Sequence, residues 1–139
     1  LPPVAKPLAA YTPAITVGNQ VWVSGQLPLR DGKLVATGRL GDAVEPAEGA
    51  EAAKVAALNA LAAVADQAGG LDNVARILKA VVFVASTTDF TAQPQVANGA
   101  SELLGEVFGT PHVRSAVGVA VLPIDAPVEV ELVAELAAR

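Results

Sequence analysis

The chain has 139 residues, of which 53% are hydrophobic and 17% are charged, and its formal net charge is −5 at pH 7. This composition excludes intrinsic disorder, which requires low hydrophobicity and high charge. It also excludes nucleic-acid binding through a basic stripe, because the 9 Lys and Arg residues are scattered singly. The chain is more apolar than a typical soluble domain, yet no apolar run is long enough for a membrane helix. We therefore expect further copies of the same chain to cover the surplus apolar surface.

The sequence contains no cysteine and a single histidine. It therefore predicts no disulfide, no thiol nucleophile and no dedicated zinc or haem site. The first residues, LPPVAKPLAAYTP, lack a basic stretch followed by an apolar run, so no secretory signal is predicted. We expect one cytoplasmic domain over residues 1–139, with a proline-rich extended segment at residues 1–12.

The first elements predicted in chain order are two hairpins and a helix. Gly18-Asn19 separates the runs AITV and QVWVSG, and Asp31-Gly32 lies inside LPLRDGKLVATG at residues 27–38. The clearest helix is predicted over residues 46–68, because Pro46 suits a first helical position and Gly69-Gly70 suits an end.

The second half of the chain alternates between strand and helix patterns. Residues 76–86, RILKAVVFVAS, predict a strand that is buried on both faces, because the run is almost continuously apolar. A second helix is predicted over residues 95–109, and two more strands over residues 113–121 and 127–136. This order predicts an α+β fold, with two helices on one face of a mixed sheet.

Arg114 is the only full charge in the apolar stretch HVRSAVGVAVLP. Because strand side chains alternate, Arg114 shares a face with Ala116 and Gly118, whose small side chains leave space beside the guanidinium. A guanidinium in such a space can hold a carboxylate through two parallel hydrogen bonds. Two other interpretations stay open: a cross-strand ion pair with Glu129 or Glu131, and a place at a subunit interface.

Several other residues are candidates for a site. Gly25 follows Ser24 at the end of the second strand, where a glycine lets the backbone approach a ligand, and Tyr11 lies in a proline-flanked loop. We expect His112 to be structural or solvated. We expect Asn98 and Ser101, on the second helix, to be exposed or capping.

Four segments together resemble the YjgF/RidA family, whose members are also named endoribonuclease L-PSP or reactive intermediate deaminase. The segments are Tyr11, SGQLP at 24–28, VRSAVGVAVLP at 113–123 and PVEVELVAEL at 127–136. The resemblance covers nearly all of residues 11–137. It implies a chorismate-mutase-like fold and a homotrimer, with the sheets forming a central barrel and three pockets at the subunit interfaces.

The resemblance also implies roles for particular residues. Arg114 would bind the substrate carboxylate, Glu129 would orient the attacking water, and Tyr11 and the pair Ser24-Gly25 would complete the pocket. Ala116 would contact the substrate where the family usually carries a cysteine, which hydrolysis by water does not require. The implied reaction converts 2-imino or 2-enamino acids to 2-keto acids and ammonia without a cofactor, and it implies no nucleic-acid or membrane partner.

Three functions stay open at this point. The first is the imine or enamine deaminase, and the second is a trimer that binds a small carboxylate, or acts as a regulator, without turnover. Ala116 in place of the usual cysteine is a reason to keep the second. The third is an endoribonuclease, which we rank last because the chain is acidic and offers one histidine.

Overall fold

Two helices pack on one face of a five-stranded mixed sheet in the computed structural model, which describes residues 1–7 and 10–138. The α+β prediction is confirmed. The helices are α1 (Pro46–Ala68) and α2 (Gln93–Phe108). The strands are β1 (Ala14–Val17), β2 (Gln20–Val23), β3 (Leu29–Arg30), β4 (Lys33–Leu34), β5 (Val74–Ala85), β6 (Val113–Val119) and β7 (Val128–Leu136).

The large sheet has the strand order β1-β2-β7-β5-β6. Strands β5 and β6 run parallel, because α2 crosses over between them, and the other neighbours are antiparallel. Strand β6 is thus an edge strand in the single chain, and its hydrogen-bonded neighbour is β5. Strands β3 and β4 form a separate two-stranded hairpin.

Helix α1 matches its predicted bounds because both ends carry local signals. Pro46 occupies the first turn, and the Glu48 carboxylate accepts a hydrogen bond from the Glu45 N–H at 3.2 Å. Gly69 closes the helix with a φ of 80°, a left-handed conformation that glycine adopts without strain. Helix α2 passes so close to α1 that Gly99 lies against the backbone of Ala50.

The two faces of the sheet differ in burial. On β7, Val128, Val130 and Leu132 are buried beneath the helices, whereas Glu129 and Glu131 point to the opposite face and are partly exposed. Strand β5 shows the same alternation, so the prediction that it is buried on both faces is wrong for the single chain. Within the described residues, only one side of the sheet carries helices.

The second predicted hairpin is much shorter than residues 27–38. Its strands are two residues each. The Val35 N–H still donates to the Pro28 carbonyl at 3.1 Å, but Pro28 has no N–H with which to return the bond and extend the ladder. The Asn59 amide donates to the carbonyls of Leu27 and Leu29, both at 2.9 Å. The expected extended segment is free of helix and strand over residues 1–7 and 10–12, and residues 8–9 lie outside the described part of the chain.

Candidate functional site

The segment Ser24-Gly25-Gln26 runs antiparallel alongside β7, next to Glu129. The Ser24 N–H donates to the Pro13 carbonyl and its hydroxyl to the Thr12 carbonyl, both at 2.8 Å. Gln26 and Val130 exchange backbone hydrogen bonds of 2.8 and 2.9 Å. These bonds hold the backbone of Gly25 directly against the Glu129 side chain.

Gly25 lets the backbone pass this close to Glu129, because a side chain here would displace the carboxyl group. A β-carbon there would lie 2.6 Å from the Glu129 carboxyl carbon. Such a separation is well inside van der Waals contact, so the absence of a side chain is what admits the carboxyl group. The sequence predicted a close approach of the backbone to a ligand at Gly25, and the structure places a side chain of this chain there.

Tyr11, Gly25 and Glu129 line one cavity with a volume of about 200 Å³. The ring of Tyr11 is 50% exposed, so it forms an open wall of this cavity. The remaining lining residues are Ala5, Lys6, Pro7, Gln26, Leu27, Leu29 and Pro123. A space of this size suits a small molecule rather than a drug-sized ligand. Three of the residues predicted for the site therefore share one cavity, and Ser24 anchors its wall.

Burial raises the pKa of the Glu129 carboxyl above its ordinary value, and repulsion from Glu131 adds to the shift. A carboxyl group whose pKa lies closer to neutrality can accept and return a proton during a reaction. Glu129 is therefore the strongest candidate acid–base group that the described residues place in a cavity.

Arg114 lies on the other face of the sheet, against α2. Its Nη1 donates to Asn98 Oδ1 at 2.7 Å and to Ser101 Oγ at 3.2 Å. The interpretation as an ion pair with Glu129 or Glu131 is wrong, because β6 pairs with β5 and both glutamates lie on β7 and face the other way. A single chain therefore does not bring Arg114 into the Glu129 cavity.

Asn98 and Ser101 are the hydrogen-bond partners of Arg114 that the sequence did not reveal. Asn98 is exposed, as expected, and Ser101 is partly exposed, and both accept hydrogen bonds from the guanidinium. Their spacing of three residues puts them on one helix face, and that was the available signal. His112 adds to the group, since its Nε2 lies 2.9 Å from Ser101 Oγ.

Ala116 shares the face of Arg114, and its side chain is partly buried against the hydrophobic core. Within residues 1–7 and 10–138, no three His, Asp or Glu side chains gather as a metal-binding cluster. The described helices include none that is both long and apolar enough to cross a membrane. Of the predicted site residues, Glu129 supplies a carboxyl group, Tyr11 a phenol and Arg114 a guanidinium.

Together, the fold and these groups define a small α+β protein of the chorismate-mutase-like class, with a carboxyl-lined cavity and an arginine on the edge strand. A model of the family described as Endoribonuclease L-PSP matches residues 3–136. The chain belongs to this family, which is the YjgF/RidA family, and the predicted membership is confirmed.

Two named relatives align over almost the whole chain. Protein TCP17 of Trypanosoma cruzi is 45% identical, and the alignment covers 98% of this chain and 87% of the relative. A 2-iminobutanoate/2-iminopropanoate deaminase of Dermatophagoides farinae is 30% identical, with 94% and 88% covered.

Solved structures share the fold. The protein Atu1372 of Agrobacterium tumefaciens, of unknown function, superimposes with a TM-score of 0.89 at 42% identity, covering 93% of this chain and 83% of that one. E. coli TdcF with bound serine gives a TM-score of 0.70 at 27% identity, with 97% and 93% covered. A small amino acid is thus a ligand of one member of this fold.

Proposed function

We propose that this protein hydrolyses 2-imino or 2-enamino acids to 2-keto acids and ammonia. In this reaction water adds to C2 of the protonated imine, the C2–N bond then breaks, and the nitrogen leaves with the protons it has gained. Family membership and the 30% identical deaminase support the proposal. Neither a metal nor a protein nucleophile is needed, because the iminium carbon is already electrophilic.

The observation that carries the proposal is the Glu129 carboxyl in its cavity. Its raised pKa suits a group that accepts a proton from water as the water attacks C2 and returns a proton to the leaving nitrogen. Tyr11 and Gly25 line the same space, so substrate would lie between the phenol and the backbone of the Ser24-Gly25 turn. This matches the roles that the family resemblance implies for these residues.

Arg114 would orient the substrate by holding its carboxylate. Because Arg114 and Glu129 face opposite sides of one sheet, the complete site needs Arg114 from a second copy of the chain. We therefore include the homotrimer in the proposal, which the open and partly apolar face of the sheet supports through Trp22 and Val117, 50% and 44% exposed. Three chains of 14.0 kDa give about 42 kDa, which light scattering can measure.

The experiment that tests the activity follows ammonia release from freshly generated 2-iminobutanoate and 2-iminopropanoate. The wild-type protein is expected to exceed the buffer rate, and Arg114→Ala to lose at least about 100-fold in kcat/KM because a charged hydrogen-bonded pair is removed. Arg30→Ala is the matched control. Arg30 is an exposed arginine whose nearest carboxylate, on Glu51, is 3.9 Å away, and its loss should leave the rate unchanged.

A trimer that binds a small carboxylate without turnover is the second candidate, favoured by Ala116 where the family usually has cysteine. It predicts that 2-ketobutyrate binds to the wild type, weakly or not at all to Arg114→Ala, and that no ammonia release exceeds the buffer rate. Wild-type protein that meets all three conditions would replace the deaminase proposal with this one. A cytoplasmic location belongs to either proposal and is checked by cell fractionation.

A further inference from the structure

A chain of three hydrogen-bonded side chains joins the edge strand to α2. His112 Nε2 lies 2.9 Å from Ser101 Oγ, and Ser101 Oγ lies 3.2 Å from Arg114 Nη1. Ser101 and His112 do not line the Glu129 cavity. They lie on the opposite face of the sheet, so the acid–base chemistry does not account for them.

The direction of the bond between Arg114 and Ser101 follows from the chemistry of the groups, whereas the direction of the bond between Ser101 and His112 depends on the histidine tautomer. A guanidinium only donates, so Ser101 Oγ accepts from Arg114 Nη1. The single hydroxyl hydrogen of Ser101 is then available to His112 Nε2, which can accept it only when that nitrogen carries no proton. Burial, and then the nearby Arg114 charge, lower the pKa of His112, which agrees with a neutral ring.

These contacts determine which edge of the guanidinium is available. Nη1 has two hydrogens, and Asn98 Oδ1 and Ser101 Oγ accept them. Within the described chain, no hydrogen bond or ion pair engages Nε or Nη2 of Arg114. The parallel pair of donors left for a carboxylate is therefore Nε–H with one Nη2–H.

We propose that Ser101, oriented by His112, is a positioning residue that holds the Arg114 guanidinium with its Nε–Nη2 edge toward an incoming substrate carboxylate. This inference rests on the proposed role of Arg114 in binding that carboxylate. Asn98 alone fixes one hydrogen of Nη1 and leaves the plane of the group free to turn. The second bond to Ser101 prevents that turn, and His112 keeps the hydroxyl oxygen facing Arg114.

The test compares disruptive and conservative variants at each position. Ser101→Ala and His112→Ala are expected to raise KM for 2-iminobutanoate, and Kd for 2-ketobutyrate by calorimetry, by about fivefold, with kcat changed less than about twofold. Ser101→Thr keeps the hydroxyl, and His112→Gln keeps an acceptor near the position of Nε2. Both are expected to stay close to the wild-type KM and Kd.

The outcomes separate this inference from the proposed function. Unchanged KM and Kd in a folded Ser101→Ala variant of an active wild type would overturn the positioning role alone. Equal losses in Ser101→Thr and Ser101→Ala would do the same, since they would report a packing role. A wild type that binds 2-ketobutyrate through Arg114 without turnover, and loses affinity in Ser101→Ala, would keep the positioning role and reject the deaminase. A wild type that neither binds nor turns over would overturn both.

Discussion

Arg114 and Glu129 lie on opposite faces of one sheet. On β5, Ala80 pairs with Arg114 of the neighbouring strand and Phe83 pairs with Glu129. Ala80 is fully buried beneath the helices, whereas Phe83 is partly exposed on the open face. Residues an odd number of positions apart on a strand point to opposite sides, so no change of side-chain conformation brings these two groups together. A site that uses both must combine two chains.

Mixing two inactive variants should therefore restore activity. Arg114→Ala and Glu129→Gln each remove one half of the proposed site, so homotrimers of either should be inactive. In randomly mixed trimers, about one interface in four would pair an intact Arg114 with an intact Glu129. Ammonia release from co-refolded protein, at about a quarter of the wild-type rate per chain, is the expected measurement.

The control for this mixing is the double variant. Chains that carry both substitutions cannot complement each other. When they are refolded with wild type, ammonia release should come only from interfaces formed between two wild-type chains. If the two single variants stay inactive after proven subunit exchange, Arg114 and Glu129 do not act across an interface.

Replacing Gly25 by alanine should damage catalysis more than folding. The new β-carbon would lie 2.6 Å from the Glu129 carboxyl carbon, and the flexible end of that side chain can move away. We expect kcat to fall at least about tenfold, and the free energy of unfolding to fall by about 1–2 kcal/mol, a typical cost of overpacking. Urea unfolding alongside the ammonia assay measures both, and equal rates in mutant and wild type would contradict a role for the Glu129 position.

The sequence predicts the bounds of a single helix or strand better than it predicts the contacts between elements. The bounds of α1 follow from Pro46, Glu48 and Gly69, which act within a few residues of the helix ends. The partners of Arg114 depend on where α2 docks against β6, and that docking depends on packing along both helices. Asn98 and Ser101 therefore looked like ordinary surface residues until the fold placed them beside the guanidinium.

The sequence could not predict, for a related reason, that Arg114 and Glu129 lie on opposite faces of the sheet. Alternation along a strand tells which residues share a face of that strand, and it predicted Arg114 with Ala116 correctly. It cannot tell which faces of two strands lie on the same side of a sheet, since that depends on pairing and register. The pairing of both β6 and β7 with β5 supplies this information.

Glu129→Gln should stabilise the protein at neutral pH while it removes activity. Burial raises the pKa of Glu129, so the folded state holds the proton more tightly than the unfolded chain. Stability is therefore lost as the pH rises from the ordinary carboxyl pKa through the higher folded value. The neutral amide does not incur this loss. Urea titrations over a pH series should therefore show that the free energy of unfolding of the variant rises relative to that of the wild type across this pH range.

Glu131→Gln is the matched control for that prediction. It removes the repulsion that contributes to the shift, so the pKa of Glu129 should fall toward its ordinary value and the pH–rate profile should move to lower pH. If Glu129→Gln is instead less stable than the wild type at every pH, the carboxylate makes favourable interactions in the assembly.

His112 should make the protein less stable in mild acid. Its pKa is lowered by burial and by Arg114, so the unfolded chain takes up a proton before the folded chain does. The free energy of unfolding should then fall as the pH drops below about 6.5, the ordinary histidine value, until the folded pKa is passed. The chain has a single histidine, so the difference between wild type and His112→Gln isolates this contribution. A difference that is constant from pH 5 to 8 would show that His112 titrates normally.

Two glycines of α2 should respond in opposite directions to alanine. At Gly99 a β-carbon would collide with the backbone carbonyl of Ala50 on α1, and neither helix can move without disturbing the core between them. We expect Gly99→Ala to cost at least about 2 kcal/mol of unfolding free energy, at the upper end of overpacking effects. At Gly105 no atom lies within 4 Å of the β-carbon position, so alanine should stabilise the helix by about 0.5–1 kcal/mol. Chemical denaturation of the two variants measures the contrast, and a tolerated Gly99→Ala would mean that the helices are not held in the close contact described above.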